Sequence, residues 1–303
     1  MSSQSSSIKS IIFALSANLG IAVTKTVAAV VTGSGSMLAE AIHSYADCAN
    51  QGLLFLGLKK SKKAPEIEHP LGHGKEIYFW SFIVALMLFS MGGLFSVYEG
   101  VNKIHAHEGL KSPMVAIIVL IISVILEASS LYGCIKQINK IKDKNLSLWK
   151  WVKETRQSEL IVVLGEDTAA LIGLTFALIA ILLATLTQNP VFDAVGSIFI
   201  GVLLVFVSIF LGIKVKGLLV GESAEKSVRE EIDTLLVSRP EIESLLNVIT
   251  LQMGDYIMVS IKAKMKPVAA ADELITNINR CEQALKEHIP DIRWVFFEPD
   301  IEK

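Results

Sequence analysis

Cysteine is scarce in this chain, and the three present, Cys48, Cys134 and Cys281, lie far apart with no C-x-x-C pair. A scattered, odd set points to neither a disulfide framework nor a zinc ribbon. H-E-x-x-H is absent and no nucleophile stands beside a base, which counts against an intramembrane metalloprotease. No filter-like loop occurs, which counts against a channel. The Ser-rich start, Ser2 to Ser7, leads into an apolar run with no small-residue cleavage motif behind it, so residues 1–10 read as a disordered tail rather than a signal peptide. Net charge is only -2, and nothing points to nucleic acid as a partner.

What the chain has instead is apolar mass: 52% of its 303 residues, with a clearly positive mean hydropathy. That is hard to reconcile with a soluble globular domain. A helix needs roughly 20 apolar residues to cross a bilayer. Runs of that order lie at about Ile11–Thr32, Met37–Leu58, Ile77–Val101, Met114–Ile138, Leu160–Thr187 and Val191–Val215, so six spans are expected. The connections after the first, third and fifth runs are short or poor in positive charge. The alternate loops carry Lys59, Lys60, Lys62, Lys63 and Lys75, then Lys140, Lys142, Lys144, Lys150, Lys153 and Arg156. The positive-inside rule makes those loops cytoplasmic, with both termini on the same side. Trp149 and Trp151 fit that interface.

After Gly221 charge becomes frequent and the apolar runs end. The pattern there predicts a helix over Ser223–Val237, strands over Asn247–Met253 and Tyr256–Met265 around a Gly254-Asp255 turn, a helix over Ala271–His288 and a strand over Ile292–Phe297. The expected architecture is an all-α transmembrane domain of six helices (residues 11–217). A small α+β cytoplasmic domain follows (αββαβ, ferredoxin-like, residues 218–303).

An ionised side chain at mid-bilayer costs at least about 2.5–3.5 kcal/mol, so each one needs a reason. His43 and Asp47 lie one turn apart in the second span and stack on one face, where they could share an ion or hydrogen-bond to glue two helices. Glu166 and Asp167 are adjacent in the fifth span and point about 100° apart, so only one is expected to face a shared cavity squarely. Their proximity favours a cation between them over a purely structural role. Glu40 shares the His43 face and reads either as part of the ligand shell or as a solvated outer rim. Glu127, mid-way along the fourth span, reads as an interhelical partner, a proton carrier or a metal contact. Lys25 and Asn18 could snorkel or pair with an acid, and Asp193 is expected to cap the sixth span at Asn189-Pro190. Gly92, Gly93 and Gly100 suggest close helix packing. The loop His69-Pro70-Leu71-Gly72-His73-Gly74-Lys75 offers two imidazoles as a further metal candidate, though Pro70 and the glycines break any helix that would present them together. His105 and His107 read as solvated.

Ala39-Glu40-Ala41-Ile42-His43-Ser44-Tyr45-Ala46-Asp47 followed by His69-Pro70-Leu71-Gly72-His73-Gly74 strongly resembles the cation diffusion facilitator family. The likeness extends to Asn189-Pro190-Val191-Phe192-Asp193, Lys216-Gly217-Leu218-Leu219 and the αββαβ tail. It implies a homodimeric exporter, with no cofactor, that exchanges cytoplasmic Zn²⁺ for protons by alternating access. Its transport site would join two ligands from the second span to two from the fifth. His43 and Asp47 match the first pair. In the fifth span Asp167 matches one position while Val163 falls on the other, so Glu166 is the substitute, as in a branch carrying Glu-Asp-x-Ala-Ala. One nitrogen with two or three oxygens suits Zn²⁺ but shifts the balance toward Mn²⁺ or Fe²⁺. The resemblance also implies histidines in the tail where this chain has Asn247, Lys262 and Glu298, so its domain is expected to dimerise without the family's binuclear zinc site. The alternatives are a Mn²⁺/Fe²⁺ (or Cd²⁺/Co²⁺) exporter and a non-transporting metal-sensing scaffold. The expected location is a bacterial inner membrane.

Overall fold

The computed structural model describes residues 18–106, 112–144 and 146–302. The start of the first apolar run and His107 fall outside them. Helix α1 (Asn18–Thr32) is joined through Gly33 to α2 (Gly35–Ser61), and Gly33 adopts φ +65°, a conformation that ends helices readily only at glycine. Next come α3 (Glu76–His105), α4 (Pro113–Ile141), the short α5 (Leu148–Glu154), α6 (Ser158–Thr187) and α7 (Val191–Val220).

Four of these, α3, α4, α6 and α7, are long and apolar enough to cross a membrane. The chain is an integral membrane protein. Helix α2 is also long, at 27 residues, but Glu40, His43, Asp47 and Asn50 dilute its apolar character. The sequence pattern gives no sign of helix α5, because seven residues, just under two turns and with Lys150, Lys153 and Glu154 among them, are too few to show a helical period within a lysine-rich loop. Ser147 starts it by accepting the Lys150 backbone N–H at 3.2 Å. Trp151 is buried while Trp149 is exposed, with Lys153 over its ring.

The chain divides into two compact units. The first, described over residues 18–57, 80–106, 112–144 and 159–215, is the apolar bundle. Within it, α3 and α7 approach so closely that a Cβ added at Gly201 would sit 2.6 Å from the Val97 backbone nitrogen. Only glycine fits there, and Gly93 and Gly100 on the facing helix share the contact, as their small size suggested. The α3 backbone departs from α-helical winding at Leu88–Leu94, a π-helical stretch that contains Gly92 and Gly93. Asp193 does not cap its own helix. Asn189 does that, accepting the Val191 N–H at 3.0 Å, whereas Asp193 accepts the Gly35 N–H at 2.7 Å, the Ser36 N–H at 3.3 Å and the Ser34 hydroxyl at 2.7 Å. It caps α2 from another helix, because a carboxylate in the first turn of α7 faces the free amides of the α2 N-terminus.

The second unit takes in residues 58–79, 146–158 and the C-terminal part from Lys216. Its tail runs α8 (Lys226–Val237), β1 (Ile242–Met253), β2 (Tyr256–Met265), α9 (Ala271–His288) and β3 (Ile292–Pro299), the order αββαβ. The sheet order is β1-β2-β3, with β1 antiparallel and β3 parallel to the central β2. Strand β1 begins five residues earlier than Asn247, since register shifts between Ile242 and Ser244 and between Leu245 and Asn247 break the period-2 pattern that would reveal it. One sheet face, Ile257, Val259, Ile261 and Ala263, is buried with Ile232 and Leu236 of α8 and Cys281 and Leu285 of α9. The other face stays open: register aligns Ile249, Ser260 and Phe296 in one row, with Ile249 and Phe296 more than half exposed. The loop after α2 docks on the β1–β2 turn. Tyr78 Oη accepts the Gly254 N–H at 3.1 Å, and a Cβ on Gly74 would clash with the Met253 carbonyl.

Candidate functional site

The 3,4,3 spacing of Glu40, His43, Asp47 and Asn50 places all four on one face of α2. Burial follows: Glu40, His43 and Asn50 are essentially inaccessible and Asp47 is 17% exposed. Burying such groups is costly unless they are paired, and these are incompletely so. Among the described residues, neither ring nitrogen of His43, nor Asp47 Oδ1, Glu40 Oε1 or Asn50 Oδ1, has a hydrogen-bond partner. His43 Nδ1 stands 3.6 Å from Asp47 Oδ1, too long for a hydrogen bond but close enough for both to reach one ion. The π-helical stretch of α3 passes beside this imidazole, where a Cβ on Gly92 would lie 3.8 Å from Nδ1.

Beside Asp47 lies a cavity of about 60 Å³, room for an ion and its water. Four helices line it: Asn18 and Ile21 of α1, Ser44, Asp47 and Gln51 of α2, Leu126, Glu127 and Ser130 of α4, and Val163, Glu166 and Asp167 of α6. Both members of the adjacent acidic pair therefore face it, contrary to the expectation from their 100° separation. The reason is that the cavity wraps around α6: Glu166 turns toward α2 and accepts from Asn50 Nδ2 at 2.5 Å, while Asp167 turns toward α4 and accepts from Ser130 Oγ at 3.0 Å. Glu127 joins them. His43 borders the group through Asp47 and does not line the cavity itself.

Glu40 is not a solvated rim. It is fully buried and paired, Lys25 Nζ donating to Glu40 Oε2 at 3.2 Å and to Ser44 Oγ at 2.8 Å. Asn18 spends its amide on Gln51 Oε1, at 3.0 Å. His105 is exposed, its Nδ1 2.8 Å from the Val101 carbonyl.

The second unit holds the one group among the described residues whose His, Cys or acidic atoms converge tightly enough for a metal: Glu66, His69 and His73. Glu66 Oε1 lies 3.2 Å from His69 Nδ1 and 2.9 Å from His73 Nε2, and the two rings sit 4.3 Å apart. Its carboxyl is held below the ordinary range, chiefly by the hydrogen bond with His73. The turns of a Pro-Gly loop bring together what a helix would have presented otherwise. No sequence pattern singles out Glu66; its only signal is a carboxylate three and seven residues before two imidazoles.

A carboxylate-rich cavity inside an apolar bundle, with unpartnered donor atoms beside it, suits a cation, and comparison with known proteins agrees. The sequence model of the cation efflux transmembrane domain matches residues 11–220. The chain belongs to the cation efflux, or cation diffusion facilitator, family. A protein named the mitochondrial proton-coupled zinc antiporter SLC30A9 of Homo sapiens is 34% identical over 231 residues, 76% of this chain and 41% of its own length. Metal tolerance protein C4 of Arabidopsis thaliana is 30% identical over 215 residues, 71% of this chain and 47% of its own. Magnetosome protein MamB of a Magnetospira strain is 25% identical over 281 residues, 91% of this chain and 89% of its own. The chain thus spans less than half the length of the first two.

Proposed function

We propose that this chain exports a divalent cation, Zn²⁺ as the principal cargo, in exchange for protons by alternating access. The observation that carries the reading is the set of buried, unpartnered atoms of His43 and Asp47 beside a cavity that Asp47 shares with Glu166 and Asp167. His43, Asp47 and Asp167 are the assigned ligands, with Glu166 as the fourth. Glu127 lies within the same cavity and completes its acidic lining, and Glu40 stands outside the shell because Lys25 engages it. Val163 contributes no donor, so Glu166 is assigned what that position lacks, a substitution that supports membership of the Glu-Asp-x-Ala-Ala branch of the family. The name of the similar human antiporter supports both zinc and proton coupling.

Coupling follows from competition. A protonated imidazole or carboxylic acid cannot bind a metal, so cation and protons exclude each other at one site. The inward-facing site, deprotonated, loads metal; outward-facing, it takes protons on His43 and a carboxylate and expels the ion. The returning protonated form releases protons to the cytoplasm.

The wider assembly follows the same reading. α1 and α2 complete six spans with the four long apolar helices, residues 11–217 forming the transport domain. The lysine-rich loops, residues 218–303 and both ends of the chain lie on the cytoplasmic side. The ferredoxin-like tail pairs with a second copy through its open row of Ile249 and Phe296. Asn247, Lys262 and Glu298 align in one row of that face, and Lys262 is spent on Asp300 at 2.7 Å, so the row offers a cation where a zinc pair would need donors. Glu66, His69 and His73 form a second, cytoplasmic metal position. A bacterial inner membrane is the assigned host; the match to MamB, from a Magnetospira strain, supports a bacterial source only.

Zinc flux in proteoliposomes with an imposed pH gradient tests the core of this. The wild-type chain should move zinc against the proton gradient and Asp47→Ala should not. Flux untouched by Asp47→Ala would remove the site assignment, and flux independent of the gradient would remove the antiport.

A further inference from the structure

Lys25 is the sole basic side chain with its ammonium in the described acidic interior of the bundle, and its relative exposure is 0%. A buried ammonium is stable only when paired and hydrogen-bonded. Its two contacts are Glu40 Oε2 at 3.2 Å and Ser44 Oγ at 2.8 Å. Ser44 is itself a wall of the cavity that holds Asp47, Glu166 and Asp167. The fixed positive charge therefore stands one side chain away from the place where the cargo would bind. Glu40 lies one turn before His43 on the same helix face, so its carboxylate is the next acid along the stripe. Its other oxygen, Oε1, is buried without a hydrogen-bond partner, which leaves Lys25 as its main compensation.

From this placement we infer that Lys25 is an affinity-setting residue: a built-in cation that occupies Glu40, keeps it out of the metal's ligand shell and weakens the adjacent site enough to let its cargo go. The inference rests on the transport-site reading above and adds a residue from α1, outside the ligand-bearing helices. Its logic is electrostatic. In a poorly screened interior a unit charge within one side chain of a divalent ion shifts binding by an order of magnitude or more. A transporter needs a site that holds its ion briefly. Five acidic side chains, Glu40, Asp47, Glu127, Glu166 and Asp167, with no opposing charge would hold it too long.

Opposite signs are the signature. Removing the ammonium leaves Glu40 uncompensated and draws the metal in; removing the carboxylate leaves the ammonium uncompensated and pushes the metal away. Zinc transport by the full chain in proteoliposomes, with half-saturating zinc measured at fixed pH, reads both. Lys25→Met and Lys25→Gln should lower the half-saturating concentration about tenfold, and Glu40→Gln should raise it about tenfold. Lys25→Gln is included because its amide can still donate to Glu40 and Ser44, so it folds even where Lys25→Met does not. Lys25→Arg, which keeps the charge, should restore the wild-type value relative to Lys25→Gln. If the pair were only a clasp between α1 and α2, Lys25 and Glu40 variants would move the value in the same direction or leave it alone, and that outcome overturns the inference. Asp47→Ala, run beside them, separates the two ideas: its failure to abolish transport would sink the site reading, whereas same-sign shifts with Asp47→Ala inactive would sink only the role of Lys25.

Discussion

Two places in this molecule gather imidazole and carboxylate, and they treat their lone pairs in opposite ways. On α2, His43 and Asp47 are buried with both ring nitrogens and a carboxylate oxygen unpartnered beside a cavity. In the loop before α3, Glu66 and His69 are accessible, His73 is half-buried, and both imidazoles are already bonded to Glu66. Burial raises the worth of every contact an ion would make, because an unmet polar atom in a dry interior costs roughly 1–3 kcal/mol. The bundle therefore stores a demand for a partner, and the loop has met its own. The first arrangement suits cargo that must arrive and leave; the second suits a clasp, held against the β1–β2 turn by Tyr78 and the close backbone contact of Gly74.

The largest expected effect breaks the comparison at its buried end. Asp167→Asn keeps the size and the bond from Ser130 but removes a carboxylate charge from the cavity. Zinc flux should fall by roughly 100-fold or more, the consequence of losing about 3 kcal/mol of ligation. His73→Ala, in the loop, should lower flux by less than about tenfold under saturating zinc, while zinc titration of the purified full chain loses one ion per chain. Equal losses in flux from both variants would erase the distinction between cargo site and clasp.

Glu166→Gln sharpens it. The side-chain oxygen can still accept from Asn50, so the helices remain joined, but a negative charge leaves the shell. Zinc flux should fall about tenfold, with discrimination against Mn²⁺ rising because the donor set becomes less oxygen-anionic. Competition between Zn²⁺ and Mn²⁺ in liposomes measures this, and unchanged selectivity would mean that water rather than Glu166 completes the shell.

How much of this was legible beforehand depends on whether a period was present. His43 and Asp47 fall one turn apart, and the helical repeat alone put them on one face. The hairpin at Gly254-Asp255 was equally readable, since Gly254 takes φ +68° and Val259, Ile261 and Ala263 alternate cleanly into the core. Strand β1 was cut short because its irregular pairing destroys alternation. The helical repeat makes the carboxylates of Glu166 and Asp167 diverge, which is true of the helix and misleading about a cavity that curves around it. Asp193 capping α2, and Lys25 meeting Glu40, are encounters between segments 158 and 15 residues apart, and no local pattern encodes which partner a buried charge will find. Glu66 lies in a loop with no period at all, so its convergence with two histidines needed the fold.

The smallest expected effect belongs to that loop. Glu66→Gln removes the charge that draws His69 and His73 together but leaves Gly74 and Tyr78 docked, so flux at saturating zinc should change by less than about twofold, as suits an exposed, screened pair. The signature lies in pH instead. The Glu66 carboxyl is held below its ordinary range by His73 and His69, so its bonds contribute fully above that range and are lost as pH falls through the lowered value. Amide hydrogen exchange over residues 66–76 of the full chain should therefore stay slow down to the acid end of the carboxylate range in wild type and then quicken. In Glu66→Gln that acid transition should vanish, leaving exchange faster but flat across the same range. A transition that survives the substitution would assign the loop's order to its docking on the β1–β2 turn alone, and the clasp to nothing more than proximity.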